Sequence, residues 1–594
     1  MRLKKACFLT TVILLAGIGQ VSAQKPEVII DPSGLGPEAL DAVNKGITAV
    51  VRMADDQDSG EADRIRRKGR EAVMSALATR GYFAPDVTLE IGEDIGGETW
   101  DISIDPGRVS KVKSVTNNFT GSIATPRFND RVTQLRKDWG LPVDKDFLNE
   151  QWSNAKSAML EGVAAHDFYL ARMTHSQAVV NPETATVETE TTVDSGPAVT
   201  LGHTEVVGLR RVPDSLIRRY IKYTPGQRFS QDQLDTWQQQ IQSTNFFRGA
   251  FVTLKKPPGD EIYAQDSAEL PVAVRVSEAP ARSLSGSLGI DDAVGPGAEI
   301  LYKQNVVFGQ PLIMETGAAV NSKIQRAFLD YHLPPNLDGS KDSVGVMFRH
   351  SDIQNEDVMR YALGWKRRLE FKLDESSRVD YESNWGVLAA YDSVKREGED
   401  RYRLPSLVAT WDFLRRDVDS KYDPREGNLI ALGLGAGVTL DKGEPFSRVG
   451  LRAQQWWPVG RRDVFTMRGE VGQVFGSSGM RIPDDFGYRT GGARSIRGYK
   501  YNAIGKTVGD DAVVGDRSLA VVSVEYMRYF DDRFGMGVFI DAGDAAESFG
   551  DMKLNVGYGV GARIKTPAGP LFLDLAYGQR DRSIRLHFSL GVAF

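Results

Sequence analysis

From about Ser283 to Phe594, apolar and polar residues alternate one by one, and this two-residue period constrains the fold more than any other feature of the chain. Lys553–Lys565 shows it most clearly. Leu554, Val556, Tyr558, Val560, Ala562 and Ile564 fall on one face, and Lys553, Asn555, Gly557, Gly559, Gly561, Arg563 and Lys565 on the other. Successive side chains of a strand point to opposite sides, so the segment has one greasy and one wet face. Gly427–Thr439 repeats the pattern, and so does the end of the chain, where Leu586, Phe588, Leu590, Val592 and Phe594 oppose Arg585, His587, Ser589, Gly591 and Ala593. A soluble sandwich also alternates. Strands of ten or more residues, turns that are alternately short and long, and Trp365, Trp385, Trp456, Trp457 and Tyr529 near strand ends favour a membrane barrel with an aromatic girdle. Counting gives about 14 to 16 strands, and such barrels take an even number. The expectation is a 16-stranded antiparallel transmembrane β-barrel over 283–594.

The other end of the chain sets the compartment. Arg2, Lys4 and Lys5 precede the short apolar run Ala6–Ile18 and the small residues of Val21-Ser22-Ala23, which predicts a cleaved secretory signal over 1–23. Cys7, the one cysteine, falls inside it, so disulfide and thiol chemistry are not expected of the mature chain. Loss of the three positive charges takes the net charge from −6 to −9, which argues against a nucleic-acid partner. After the signal no stretch approaches 18 uninterrupted apolar residues. A chain of this kind crosses a membrane only as a closed barrel.

Between signal and barrel, one grammar recurs over 27–107, 108–197 and 198–280: an apolar strand, a helical stretch, a step with an aromatic residue, and two strands. The predicted helices include Glu61–Arg80, Phe147–Ala165 and Gln231–Gln242. The steps are Gly81-Tyr82-Phe83, Asp167-Phe168-Tyr169 and Asn245-Phe246-Phe247, with Tyr82, Phe168 and Phe246 separated by 86 and 78 residues. That period suits small βααββ domains, too small for a large catalytic cleft but with open sheet edges that can accept a partner strand.

Three barrel motifs carry a family resemblance. Within Ile482–Asp510 lies Gly491-Gly492-Ala493-Arg494-Ser495-Ile496-Arg497-Gly498-Tyr499; Phe539-Ile540-Asp541-Ala542-Gly543 follows. Thr410-Trp411-Asp412 precedes Arg416-Asp417 and Asp423-Pro424-Arg425-Glu426-Gly427. These resemble the loop-six, partner-strand and mid-barrel hairpin motifs of the Omp85 superfamily, and the three repeats resemble POTRA domains. Three repeats before sixteen strands are similar to the TamA branch. The resemblance implies an outer-membrane factor, with its arm in the periplasm. It would help to insert or export client outer-membrane proteins such as autotransporters, or pass phospholipid, alongside a TamB-like inner-membrane partner and in contact with the lipid bilayer. A two-partner-secretion transporter or general insertase of the same superfamily is the alternative, and a passive pore the other class.

Register makes the motif physical. Met536, Val538, Ile540 and Ala542 share the greasy face, so Phe539, Asp541 and Gly543 point into the lumen, as does Glu525 on the preceding strand. A loop folded into the barrel can bring Arg497 to these carboxylates in a charge-assisted pair. The resemblance implies Asp541 as partner, with Glu525 second. Ile496 leads the motif, Gly498 permits close backbone approach, and Tyr499 packs on the inner wall. The resemblance also implies a lateral seam between first and last strands. Ser285, Gly286, Ser287 and Gly289, with few bulky lipid-facing groups, predict a labile first strand against Ile584–Phe594.

An enzyme is not expected. Histidines 166, 175, 203, 332, 350 and 587 are scattered without zinc-binding spacing. Gly433-x-Gly435-x-Gly437 lies in mid-strand, where it reads as small lumen-facing residues and not a nucleotide loop. Asp417, Asp419 and Asp423 lack the glycine and terminal glutamate of a calcium loop. No catalytic residue, cofactor or metal is assigned.

Overall fold

The computed structural model describes residues 26–31, 34–53, 62–94, 97–374, 376–509, 511–566 and 569–590. The predicted signal and Phe594 lie outside the described residues. The chain forms two compact units, one taking in residues up to 205 with 223–234 and 253–273, the other 206–222, 235–252 and 274–594.

Three small three-stranded sheets come first. The first repeat runs β1 (Glu27–Ile30), α1 (Pro37–Met53), α2 (Ala62–Thr79), β2 (Asp86–Asp94) and β3 (Gly97–Asp105). The second runs β4 (Lys111–Thr120), α3 (Asn129–Lys137), α4 (Asn149–Ala164), β5 (Arg172–Asn181) and β6 (Thr186–Asp194). The third runs β7 (Ala198–Val207), α5 (Asp214–Tyr220), α6 (Gln231–Gln242), β8 (Phe247–Leu254) and β9 (Ser267–Glu278). Each sheet places its last strand in the middle, with orders β1-β3-β2, β4-β6-β5 and β7-β9-β8. The helices bury the stripe that their period exposes. Ile65, Val73 and Leu77 of α2 pack with Trp100, Ile102 and Ile104 of β3, and Trp152, Met159 and Val163 of α4 with Val187 and Val193 of β6. The three aromatic steps share a backbone device. Gly81, Asp167 and Asn245 each take a left-handed φ, of 87°, 65° and 62°. Glycine, aspartate and asparagine accept that conformation at least cost, and it turns the chain out of the helix and sends the next aromatic inward.

Sixteen antiparallel strands follow in chain order, each paired with the next. They are β10 (Arg282–Asp291), β11 (Gly295–Val307), β12 (Gln310–Asn321), β13 (Ile324–His332), β14 (Lys341–Ile353), β15 (Glu356–Phe371), β16 (Val379–Arg396), β17 (Tyr402–Val418), β18 (Gly427–Thr439), β19 (Pro445–Val459) and β20 (Asp463–Gly476). A long loop over 477–517 holds a short hairpin, β21 (Lys506–Val508) and β22 (Ala512–Val514). The wall resumes with β23 (Ser518–Tyr529), β24 (Phe534–Ala546), β25 (Asn555–Thr566), β26 (Gly569–Gly578) and β27 (Ser583–Leu590). Among the described residues no ladder joins β10 to β27, the first and last strands of this order, and the barrel is nearly closed.

Outward side chains are apolar and exposed: Val538 and Ile540 on β24, Tyr558 and Val560 on β25, Ile584 and Leu586 on β27. Such a continuous apolar band is the outer face of a membrane-spanning barrel. No helix among the described residues is long and apolar enough to cross a membrane. Two girdle assignments need correction. Trp456 and Tyr529 are buried and face inward, Trp456 packing with Val418, Leu429, Val464 and Met527. Their positions in the two-residue register, not their closeness to strand ends, set their direction. The outward aromatics near that rim form a ladder through Phe371, Tyr381, Phe413, Trp411 and Trp385, with stacked pairs Phe371–Tyr381 at 5.3 Å and Trp385–Trp411 at 5.5 Å.

Candidate functional site

The long loop folds into the lumen and is fixed at both of its ends. On its entry side, Phe486 and Tyr488 sit against bare backbone. A Cβ on Gly435 would lie 2.7 Å from the Phe486 ring, and one on Gly472 would lie 2.2 Å from that of Tyr488. Within the mid-strand glycine run Gly435 is thus the recess for a loop aromatic, while Gly437 makes room for Phe446 of β19. Charges reinforce the seat. Arg349 donates to Asp484 at 2.7 Å and to Asp485 at 3.0 Å. Arg489 donates to Glu356 at 2.9 Å and to Asp484 at 2.7 Å. Arg360 grips Asp392 with two bonds of 2.6 Å and also meets Asp485. Nothing in the strand period marks these loop acids as partners for β14 and β15.

On its exit side the loop delivers Arg497. Its Nε and Nη2 donate to the two oxygens of Asp541 at 2.8 and 2.9 Å, and its backbone N–H to the same carboxylate at 3.0 Å. Nη1 donates to Glu525 at 2.7 Å and to Asp574 at 3.0 Å. The guanidinium also lies over the Phe539 ring, 3.4 Å from its centroid. Asp541 is wholly buried. A charge so enclosed is tolerated because every lobe of it is paired and hydrogen-bonded.

The neighbouring motif residues make this approach possible. Gly498 has φ 93°, and a Cβ there would lie 2.6 Å from Gly578 N. Ile496 and Tyr499 are buried in a cluster with Val474, Tyr488, Ile504, Leu519, Val521 and Ala545. The Tyr499 hydroxyl donates to Val556 O at 3.0 Å and accepts from Arg580 N at 3.1 Å. Opposite them the lumen face of β25 has glycine at 557, 559 and 561. A Cβ on Gly557 would fall 1.8 Å from Arg497 O. Gly543 is buried where a Cβ would fall 2.3 Å from Ala520 O, so it serves the close contact of β24 with β23.

The structure therefore gathers Ile496, Arg497, Gly498, Tyr499, Phe539, Asp541 and Glu525 into one place, and adds residues that sequence reasoning missed. Asp574 on β26 is one. Arg563 on β25 is another, bonding both Glu525 and Asp574. Each is a charge on the wet face of an alternating strand, a signal that was present for Arg563 in the window Lys553–Lys565. His587 on β27 is the third: it touches both Gly498 and Asp292.

The seam residues fall on both faces. Ser285, Ser287 and Gly289 line the lumen side, whereas Gly286 lies in the outward row with Leu284, Leu288 and Ile290. That row corrects the expectation of few bulky lipid-facing groups. Leu288 is 88% exposed, so β10 carries apolar bulk outward, and among the described residues no ladder runs along its outer edge.

With this geometry in view, residues 307–594 match the Omp85 superfamily domain. The crystal structure of BamA from Haemophilus ducreyi lacking POTRA domains 1–3 shares its fold, with a TM-score of 0.66 at 16% identity, covering 81% of this chain and 99% of that one. The chain is also similar to chloroplastic outer envelope protein 80 of Arabidopsis thaliana, 32% identical over 154 residues, or 25% of this chain. The matched stretch spans only 20% of that relative's length. The Omp85 match contains the whole loop, its Asp541 strand and β27, while β10 and nearly all of β11 precede it.

Proposed function

We propose that this protein is an outer-membrane assembly or translocation factor of the TamA type, its repeats lying in the periplasm. It helps client proteins such as autotransporters enter or cross the membrane, works with a TamB-like inner-membrane partner, and assists by contact without catalysing a reaction. The observation that carries this reading is the pair of strand edges, on β10 and β27, that have no ladder partner among the described residues, beside a loop locked onto the neighbouring lumen wall. An exposed edge offers a row of unpaired N–H and C=O groups, the chemistry needed to template an incoming strand. The open edges of the repeat sheets offer the same chemistry to a client in transit.

Depletion of the protein is expected to lower the amounts of folded client barrels in the outer membrane. A disulfide engineered between β10 and β27 is expected to reproduce that loss and reductant to reverse it; full client assembly with the seam tethered would sink the reading. A passive pore is disfavoured because the loop carries Phe486, Tyr488 and Arg497 inside the barrel, against the lumen faces of β18, β20 and β24. Bilayer recordings are expected to show small, erratic conductance. A large steady pore would favour the porin reading.

A further inference from the structure

His587 projects to the lumen side of β27, between the outward Leu586 and Phe588, and is almost fully buried. Its two ring nitrogens face different parts of the molecule. Nδ1 lies 2.7 Å from Asp292 Oδ2, in the turn that joins β10 to β11. Nε2 accepts the backbone N–H of Gly498, in the loop motif, at 2.9 Å. An amide N–H can only donate, so Nε2 must be the accepting nitrogen, and the ring hydrogen sits on Nδ1, donated to Asp292. The ladder of β26 and β27 sets His587 opposite Asp574, which holds Arg497 and Arg563. One side chain on the last strand thus bonds the first hairpin and the loop across an interval where, among the described residues, no backbone ladder runs.

We propose that His587 is a positioning residue that latches the lateral seam and couples it to the loop. Parting β27 from the β10–β11 turn breaks the His587–Asp292 bond and frees the ring to leave Gly498; withdrawing the loop removes the bond that orients the ring toward Asp292. This rests on the seam-gated assembly function proposed above and assigns the residue through which loop and seam communicate. Gly498 supplies its contact from the backbone, so the link depends on the loop's path and not on a side chain that substitution could replace.

The test uses the full-length protein in lipid nanodiscs. Nitroxide labels are placed at Ala293→Cys, in the turn after β10, and Asp581→Cys, in the turn before β27, and their separation is measured by pulsed electron resonance. A hydrogen bond to a charged group is strong enough that losing it is expected to shift the parted-to-closed ratio about tenfold in His587→Ala and in Asp292→Ala. Asp292 lies in a turn, so that variant keeps the barrel folded. His587→Gln retains one acceptor and one donor, and is expected to keep the parental distribution. An unchanged distribution in both alanine variants, or a glutamine variant as open as alanine, would overturn the latch. Client assembly measured in parallel separates the two ideas. Lost assembly in His587→Ala with an unshifted seam defeats the latch alone, whereas a shifted seam with no client defect on depletion supports the latch and defeats the function.

Discussion

Asp541 accepts three hydrogen bonds from Arg497, from its backbone N–H, Nε and Nη2, at 3.0, 2.8 and 2.9 Å. Main chain and side chain of one loop residue thus converge on one wall carboxylate, so the pair fixes the position of the loop backbone as well as neutralising a charge. The loop is a plug, and the exit side of its seat is set by one residue's geometry.

Arg497→Ala leaves Asp541, Glu525 and Asp574 facing one another with only Arg563 and Arg468 nearby to offset them. Breaking a buried pair in this way costs roughly 3–5 kcal/mol, enough to release the loop. Protease cleavage within 477–517 is expected to accelerate and client assembly to fall, and a loop that stays resistant would contradict the clamp. Exchanging the pair, Arg497→Asp with Asp541→Arg, would set the new aspartate against Glu525 and Asp574 as like charges, so little rescue is expected.

Gly557→Ala tests the same seat from the wall side. The added methyl would lie 1.8 Å from Arg497 O, a backbone atom that cannot rotate aside. The barrel is expected to fold and migrate as a heat-modifiable species, while the loop becomes protease-sensitive as in Arg497→Ala. Gly469, where a Cβ meets nothing within 4 Å, is the control, and Gly469→Ala should be silent.

Glu278 closes the joint between β9 and β10. Its carboxylate accepts backbone N–H groups of Arg210, Arg211 and Val212 at 2.7–2.9 Å and the Arg211 side chain at 3.1 Å. Burial alone would raise its pKa, but these donors outweigh it and hold the carboxyl below its usual range. A depressed carboxylate contributes stability above its unfolded pKa and loses it as pH falls through the folded value. The protection of the 210–212 amides, exchange measured against the intrinsic rate at each pH, is therefore expected to fall on acidification below the ordinary carboxylate range. Glu278→Gln should exchange faster at neutral pH and show a flatter acid response.

Tyr220 of α5 donates its hydroxyl to Pro335 O at 2.7 Å, in the turn between β13 and β14, and Arg219 reaches Asn336 at 2.9 Å in that turn. Burial raises the Tyr220 pKa to about 12, so the donor persists throughout the physiological range. Tyr220→Phe leaves the carbonyl unpaired and is expected to cost about 1 kcal/mol, read as faster hydrogen exchange over 333–340 with the barrel unaffected.

Much of this site was legible because the two-residue period is geometric. Once Met536, Val538 and Ile540 share a face, Asp541 has to look the other way, and the same count sends Glu525 inward. Nearness to strand ends is a weaker guide than the period: it puts Trp456 and Tyr529 in the outer girdle, whereas their register turns them inward. Asp574, the acids Asp484 and Asp485, and the role of His587 could not be read locally. Each depends on which strand lies across the lumen or the seam, a separation of up to 295 residues for His587 and Asp292.

The sequence by itself determined the repeating βααββ units and the sixteen alternating strands, because helix and strand periods and left-handed turn residues are properties of neighbours along the chain. Only the tertiary structure decided where the loop lies, which carboxylates share Arg497, and that β27 reaches the first hairpin through a histidine. Those facts follow from barrel curvature and strand order, which bring distant segments into contact and which no local pattern encodes.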